Sequence, residues 1–218
     1  MTSRTLYHFE ASPFSHRVRL ALAHKGLAAE LVEGRAEPAR LAEARKLCPL
    51  RTAPILVEPD GRALGDSTAI ARYLDAAYPD APRIWPATGE AARATLEATT
   101  WMDTALNILV DLGTRYETLA DSKSWSSVRS EMVGRAQAAL DALAAPAEAR
   151  AGKTWTDAGW SAADFCIATA TIWVEGWPGR APTNPRVAQL MSLGVRLPTA
   201  LSRWTDAHRA RPDLLALG

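Results

Sequence analysis

The sequence predicts a two-part chain: an α/β N-terminal domain built on a four-stranded mixed sheet, followed by an all-α helical bundle. Three observations carry this. Residues 4–78 alternate short β-rich runs with amphipathic stretches in the order strand, helix, strand, helix, strand, strand, helix. Residues 79–88, PDAPRIWPAT, hold three prolines and no periodicity, as a linker does. Beyond them no convincing strand follows. The expected boundaries are 1–79 for the first domain, 80–88 for the linker and 89–218 for the helical domain.

Each element has its own local reason. Residues 4–9 (RTLYHF) alternate as a strand does. Ser12-Pro13 reads as an N-cap followed by proline at the first helical position, and the helix runs through Phe14, Val18, Ala21 and Leu22 to Gly26. His16, Arg17, Arg19 and Lys25 fall mostly off that apolar stripe, so His16 and His24 are expected to be solvated. Residues 28–33 form a second strand. Residues 37–47 form a helix with Leu41, Ala44 and Leu47 facing inward. Residues 55–58 and 62–65 flank Asp60-Gly61, a strong hairpin signal. Asp66-Ser67-Thr68 then opens a helix whose Ile70, Tyr73, Leu74, Ala77 and Tyr78 recur at helical spacing, stopped by Pro79. This order matches a thioredoxin-like layer with helices on both faces of the sheet.

In the second part, residues 90–112 form a long helix carrying Leu96, Trp101, Ala105, Ile108 and Leu112. Residues 127–145 form another, with Val128, Met132, Ala136 and Leu140 inward and Pro146 as its stop. Ser161 and Asp164 form a capping box, with Trp160 and Phe165 placed as a hydrophobic staple, and that helix runs to about residue 175. Residues 176–183 read as a loop. Asn184-Pro185 opens a short helix, and Pro198 opens a last one that ends before Pro212.

Composition narrows the function. The 218 residues, 48% of them hydrophobic, are enough for a sizeable core. With 25 basic against 24 acidic residues intermixed, no basic block points to nucleic acid or to an anionic membrane. The start, MTSRTLYHF, has no apolar leader core, and no run reaches the length of a membrane span. Cys48 and Cys166 lie in no CxxC or His/Cys cluster, so neither a disulfide scaffold nor a metal site is expected, and a reducing cytoplasm is the expected location.

Two features of the first domain point to ligand chemistry. Pro54 stands directly before a strand, which leaves the carbonyl and amide of Ala53 available to a peptide-like ligand. Asp66-Ser67 sets a hydroxyl and unpaired N–H groups at a helix N-terminus, a place for a carboxylate or phosphate. The plainer alternatives are a blunted strand edge and a simple helix cap.

Four motifs in order resemble the cytosolic glutathione transferase family of bacterial type. SPFSHRVRLALAHKGL (12–27) is similar to its active-site segment and first helix. CPLRTAPILVEPDGRALGDSTAIARYLDAAYP (48–79) is similar to its cis-proline loop, hairpin and glutamyl-binding helix start. SAADFCIA (161–168) resembles its buried capping box, and LPTALSRWTDAHRARP (197–212) its closing helix. The resemblance implies a glutathione S-transferase with a serine-type site, using glutathione as co-substrate and no metal, and acting as a homodimer on a small hydrophobic electrophile. Ser12 would be the catalytic hydroxyl, with Ser15 and Tyr7 as alternatives. Ser12, Phe14, Arg40, Arg51, Thr52, Ala53, Pro54, Asp66 and Ser67 would bind glutathione, with Pro54 cis, Ala53 pairing its backbone with the ligand and Arg51 or Arg40 attracting the glycyl carboxylate. Glu10, Ala11, Trp101, Leu106 and Trp173 would line the acceptor pocket. The sequence departs from the family in Ala53 for valine, Asp66 for glutamate and Arg51 for glycine or lysine. SPFSHRVR also resembles the SSCSxRVR segment of maleylacetoacetate isomerases without its cysteine. A glutathione-dependent isomerase or dehalogenase, and a non-catalytic glutathione-binding scaffold, are therefore the alternatives.

Overall fold

The computed structural model describes residues 3–119 and 125–215. Its first part runs β1 (Thr5–His8), α1 (Pro13–His24), β2 (Glu30–Glu33), α2 (Pro38–Leu47), β3 (Ile55–Val57), β4 (Ala63–Gly65) and α3 (Ser67–Ala77). The sheet order is β2-β1-β3-β4, with β1 parallel to β2, antiparallel to β3, and β3 antiparallel to β4. This is the four-stranded mixed sheet of a thioredoxin-like domain.

Register explains how the faces are filled. Leu6 lies opposite Leu56, and both point with Val18, Ile70 and Leu74 into the core on the α1 and α3 side. Tyr7 lies opposite Ile55, one residue along, so both face the other way and pack with Ala44 and Cys48 beneath α2. Gly65 is required on that second face. A Cβ there would stand 2.6 Å from Cys48 Sγ, closer than any carbon side chain tolerates.

The helical part runs α4 (Gly89–Leu119), α5 (Trp125–Ala142), α6 (Ala144–Ala149), α7 (Ala162–Glu175), α8 (Trp177–Arg180), a 3₁₀ turn (Ala181–Thr183), α9 (Pro185–Ser192), α10 (Thr199–His208) and α11 (Pro212–Leu215). Every residue from Ala162 to Thr171 of α7 is buried, as expected of a helix surrounded by others. It packs against α1, α4 and α10, so one apolar core continues from the sheet into the bundle. Between the two parts, the buried Asp75 carboxylate accepts from Lys25 Nζ at 2.9 Å and from the N–H groups of Ile84 and Trp85, which ties the linker to α1 and α3.

Several expectations need correction. Leu47, Leu96 and Val128 are 56%, 45% and 44% exposed, because each sits off the stripe that its helix buries. The stops read at Pro146 and Pro212 hold, since α5 ends at Ala142 and α10 at His208, but a further short helix follows each of them. Pro146 falls in the first turn of α6, Pro178 near the start of α8, and Pro212 opens α11. A first-turn N–H has no helical acceptor to lose, so proline can begin a helix as well as end one. Residues 176–183, expected as loop, are accordingly helical turns. His16 and Arg17 are 6% and 2% exposed, inside the protein instead of on a solvated face.

Candidate functional site

The sheet register gathers the candidate residues. Tyr7, Ile55 and Gly65 stand in one row across β1, β3 and β4, and His8 pairs with Glu33. The loop after β1, the residues before β3 and the residue after β4 therefore emerge at one end of the sheet. Ser12, Pro54 and Asp66 come to that end from three separate places in the chain.

Ser12 is the half-buried N-cap of α1. Its Oγ accepts from the Ser15 N–H at 3.3 Å, which leaves its own O–H available as a donor. Ser15 is fully enclosed, and its Oγ accepts from the Phe9 N–H at 3.1 Å. Phe14 is half-buried against the core, with the Arg17 guanidinium 5.7 Å from its ring centre. Tyr7 packs on the α2 side with Ala44, Cys48 and Ile55.

The Ala53–Pro54 bond is cis, and Pro54 is buried at the start of β3. Arg51 and Asp66, one on each side of this strand pair, are the non-glycine residues with positive φ among those described, at 55° and 71°. Such backbone costs roughly 1–3 kcal/mol and clusters at ligand sites. Asp66 caps α3: its Oδ1 accepts from the N–H groups of Thr68 and Ala69 at 2.9 and 2.8 Å. Ser67 is buried beside it. Arg40 pairs with Glu30 at 2.7 Å and Glu37 at 3.2 Å, so its charge is already matched. Arg51 and Thr52 are exposed.

Arg17 is a residue the sequence reading passed over. From α1 its Nη1 donates to Ser67 Oγ at 3.3 Å, Thr68 Oγ1 at 3.2 Å and Asp103 Oδ2 at 3.1 Å. Its Nη2 lies 2.5 Å from Asp103 Oδ1 and 2.9 Å from Cys166 Sγ. Burial acts against this cation, but the Cys166 sulfur and Asp103 hold its pKa above the ordinary value. By donating to Ser67 Oγ, Arg17 leaves that hydroxyl's proton free to point at an anion over the α3 N-terminus. The available clue was position: Arg17 falls four residues before Ala21, on a buried part of α1.

The acceptor-side candidates separate. Glu10, Ala11 and Trp173 line one cavity of about 620 Å³, bounded by α1, the end of β2 and the α7–α8 corner. Trp101 instead borders a different cavity of about 270 Å³ beside α6 and residues 155–157. Leu106 is 1% exposed in the bundle core.

The first part of the chain and the fold as a whole resemble known proteins. The family model for the glutathione S-transferase N-terminal domain matches residues 6–82. Glutathione S-transferase Z1 of Arabidopsis thaliana is 39% identical over 84 residues, covering 35% of this chain and 35% of that protein. Probable glutathione S-transferase GSTU1 of Oryza sativa subsp. japonica is 34% identical over 114 residues, covering 50% of this chain and 49% of that one. The chain thus spans about a third to a half of the length of these curated relatives. A glutathione S-transferase of Methylobacterium radiotolerans, solved with glutathione sulfonate, superposes with a TM-score of 0.74 at 23% identity, covering 99% of this chain and 94% of that one. One from Methylobacillus flagellatus, solved with glutathione bound, gives 0.74 at 24% identity, covering 99% of each. At those identities the likeness is one of fold.

Proposed function

We propose that this chain, whose residues 6–82 match the glutathione S-transferase N-terminal domain, is a member of that family that binds glutathione at the Ser12–Pro54–Asp66 end of the sheet and transfers its sulfur to a small electrophile. The observation that carries the reading is the convergence of Ser12, cis-Pro54 and the α3 N-terminus through the row Tyr7, Ile55, Gly65. In this reading residues 1–79 hold glutathione and residues 89–218 complete the acceptor side.

Each end of the tripeptide has a counterpart. The γ-glutamyl carboxylate takes the Ser67 N–H and hydroxyl at the positive end of α3, and the free Asp66 oxygen takes the amine. The backbone of Ala53, which no described residue engages, pairs with the cysteinyl unit. Arg51 suits the glycyl carboxylate better than Arg40, whose charge Glu30 and Glu37 already neutralise.

Ser12 donates its hydroxyl hydrogen to the sulfur. A free thiol with pKa about 8.5 is only a few per cent ionised at pH 7, and lowering it to about 6.5 takes roughly 2.7 kcal/mol. A hydrogen bond to an anion supplies roughly 1.5–3 kcal/mol, and a partly buried helix N-terminus up to about 2. The two together suffice without a side-chain base. The thiolate then forms a C–S bond to the electrophilic carbon, whose leaving group departs with its electron pair. The homodimer and the cytoplasmic location belong to the same proposal and rest on the family resemblance; no described helix is long and apolar enough to cross a membrane.

Retention on immobilised glutathione, followed by conjugation of chlorodinitrobenzene, tests the reading. Retention with turnover supports it. Retention without turnover of any acceptor would leave a glutathione-binding scaffold, and no retention removes the reading altogether.

A further inference from the structure

The cavity of about 620 Å³ bordered by Glu10 and Ala11, the residues just before Ser12 in the chain, is not the apolar slot that a purely hydrophobic acceptor requires. Its apolar lining is Ala11, Ile172 and Trp173, but three arginines, Arg19, Arg35 and Arg180, also border it. Arg180 is the decisive one. It is half-buried at the end of α8, with Nε donating to the Gly176 carbonyl at 3.1 Å and Nη2 to the Trp173 carbonyl. Its guanidinium carbon lies 6.0 Å from the Trp173 ring centre. These bonds use two of its five N–H donors.

Among the described residues Arg180 has no carboxylate partner, whereas Arg150 and Arg203 of the same helical part each pair with one and Arg209 with two. Burial lowers the pKa of Arg180, as it does for a cation short of counter-charge. The cavity's own acids do not make up the difference. Glu33 is engaged by the N–H groups of Arg35 and Ala36 at 2.6 and 2.8 Å, and Glu10 is exposed at the rim. His16 also borders the space. It is 6% exposed, hydrogen-bonded to the Glu10 backbone, and its Nε2 has no partner. Its pKa is lowered to about 4, mainly by burial and then by Arg19, so the ring is neutral and offers Nε2 as an acceptor.

We infer that this cavity takes an acceptor bearing a carboxylate on a small planar or aromatic frame, with the anion on Arg180 and the frame against Trp173. The inference rests on the transferase reading and specifies its acceptor. A charge-assisted contact to a half-buried guanidinium with no carboxylate partner discriminates, because an uncharged analogue leaves the cation unmatched. In the reaction the glutathione sulfur bonds to the electrophilic ring carbon and chloride leaves with the C–Cl electron pair, while the carboxylate stays unchanged on Arg180.

The test compares glutathione conjugation of 4-chloro-3,5-dinitrobenzoate with that of its methyl ester, each divided by its uncatalysed rate. The acid is expected to have a kcat/KM about 10-fold or more above the ester, and Arg180→Met to raise KM for the acid about 10-fold, with partial recovery in Arg180→Lys. An ester turned over as well as the acid overturns the inference and leaves the transferase reading standing. If neither is conjugated although glutathione is held, the transferase reading fails, and calorimetry with unreactive 3,5-dinitrobenzoate and 3,5-dinitrobenzamide decides the rest. Binding of the acid alone, weakened in Arg180→Met, supports an anion site; equal binding of both, or of neither, overturns it.

Discussion

Two serines three residues apart illustrate what decides function at the scale of a residue. Ser12 and Ser15 share a chemistry, and the sequence leaves both open. In the fold, Ser12 is half-buried and its Oγ, accepting from the Ser15 N–H, keeps its own proton to donate, whereas Ser15 is enclosed as the acceptor for Phe9 N–H. Ser12→Ala is expected to keep glutathione binding, raise the thiol pKa of bound glutathione by about 1–2 units and lower turnover about 10-fold or more. Thiolate absorbance of the binary complex measures this, and an unchanged titration would remove Ser12 from the mechanism. Ser15→Ala should instead destabilise by about 1–3 kcal/mol, since it orphans a buried N–H. His16 offers a second residue-scale expectation. Its folded pKa of about 4 lies below the ordinary value of 6.5, with burial as the main cause, then Arg19, His8 and Arg180. The unfolded chain therefore binds a proton that the folded one does not between those two values. Its stabilising contribution is complete above pH 6.5 and falls away as pH drops towards 4, by roughly 2–3 kcal/mol at pH 4.5. Urea unfolding of His16→Gln across this window should show a flatter pH profile than the parent; parallel profiles would place the acid sensitivity elsewhere.

At the scale of elements, caps explain the most. The capping box read at Ser161 and Asp164 opens α7, with the staple rings of Trp160 and Phe165 stacked at 5.9 Å. Tertiary structure gave Asp164 a further duty: besides the Ser161 N–H and hydroxyl, it accepts from the Trp155 N–H at 2.7 Å, nine residues upstream. Burial pushes its pKa up against these three donors. Asp164→Ala is expected to cost about 3 kcal/mol or more, because it strands two buried N–H groups, with Asp164→Asn milder. A loss under 1 kcal/mol in chemical denaturation would show that water replaces the carboxylate. The element readings that failed share one cause. Periodicity finds a stripe but not its neighbours, so Leu96 and Val128 looked internal, and a proline looks the same whether it ends a helix or starts the next.

Across the whole molecule, Arg17 joins the sheet part to the bundle at the ligand end. It bridges Ser67 and Thr68 of α3 to Asp103 of α4 and Cys166 of α7, spanning up to 149 positions in sequence. Removing one partner should cost more than removing both. Asp103→Leu leaves a buried cation unmatched and is expected to destabilise by about 3–5 kcal/mol, whereas Arg17→Met with Asp103→Leu should regain most of that. The double variant should still bind glutathione more weakly, because nothing then orients Ser67. Full recovery of affinity in the double variant would show that the ion pair serves stability alone.

What the sequence determined by itself was local: the order of strands and helices, the cap at Ser12, the hairpin at Asp60-Gly61, the proline before β3 and the capping box of α7. Such features arise from propensities and hydrogen bonds within a few residues, and short motifs record them. What only the tertiary structure decided was long-range. It separated Ser12 from Ser15, moved Trp101 and Leu106 away from Glu10 and Trp173, and gave Arg17 and Arg180 their surroundings. Burial and unpaired charge depend on what the rest of the chain folds against a residue, and no stretch of sequence carries that by itself.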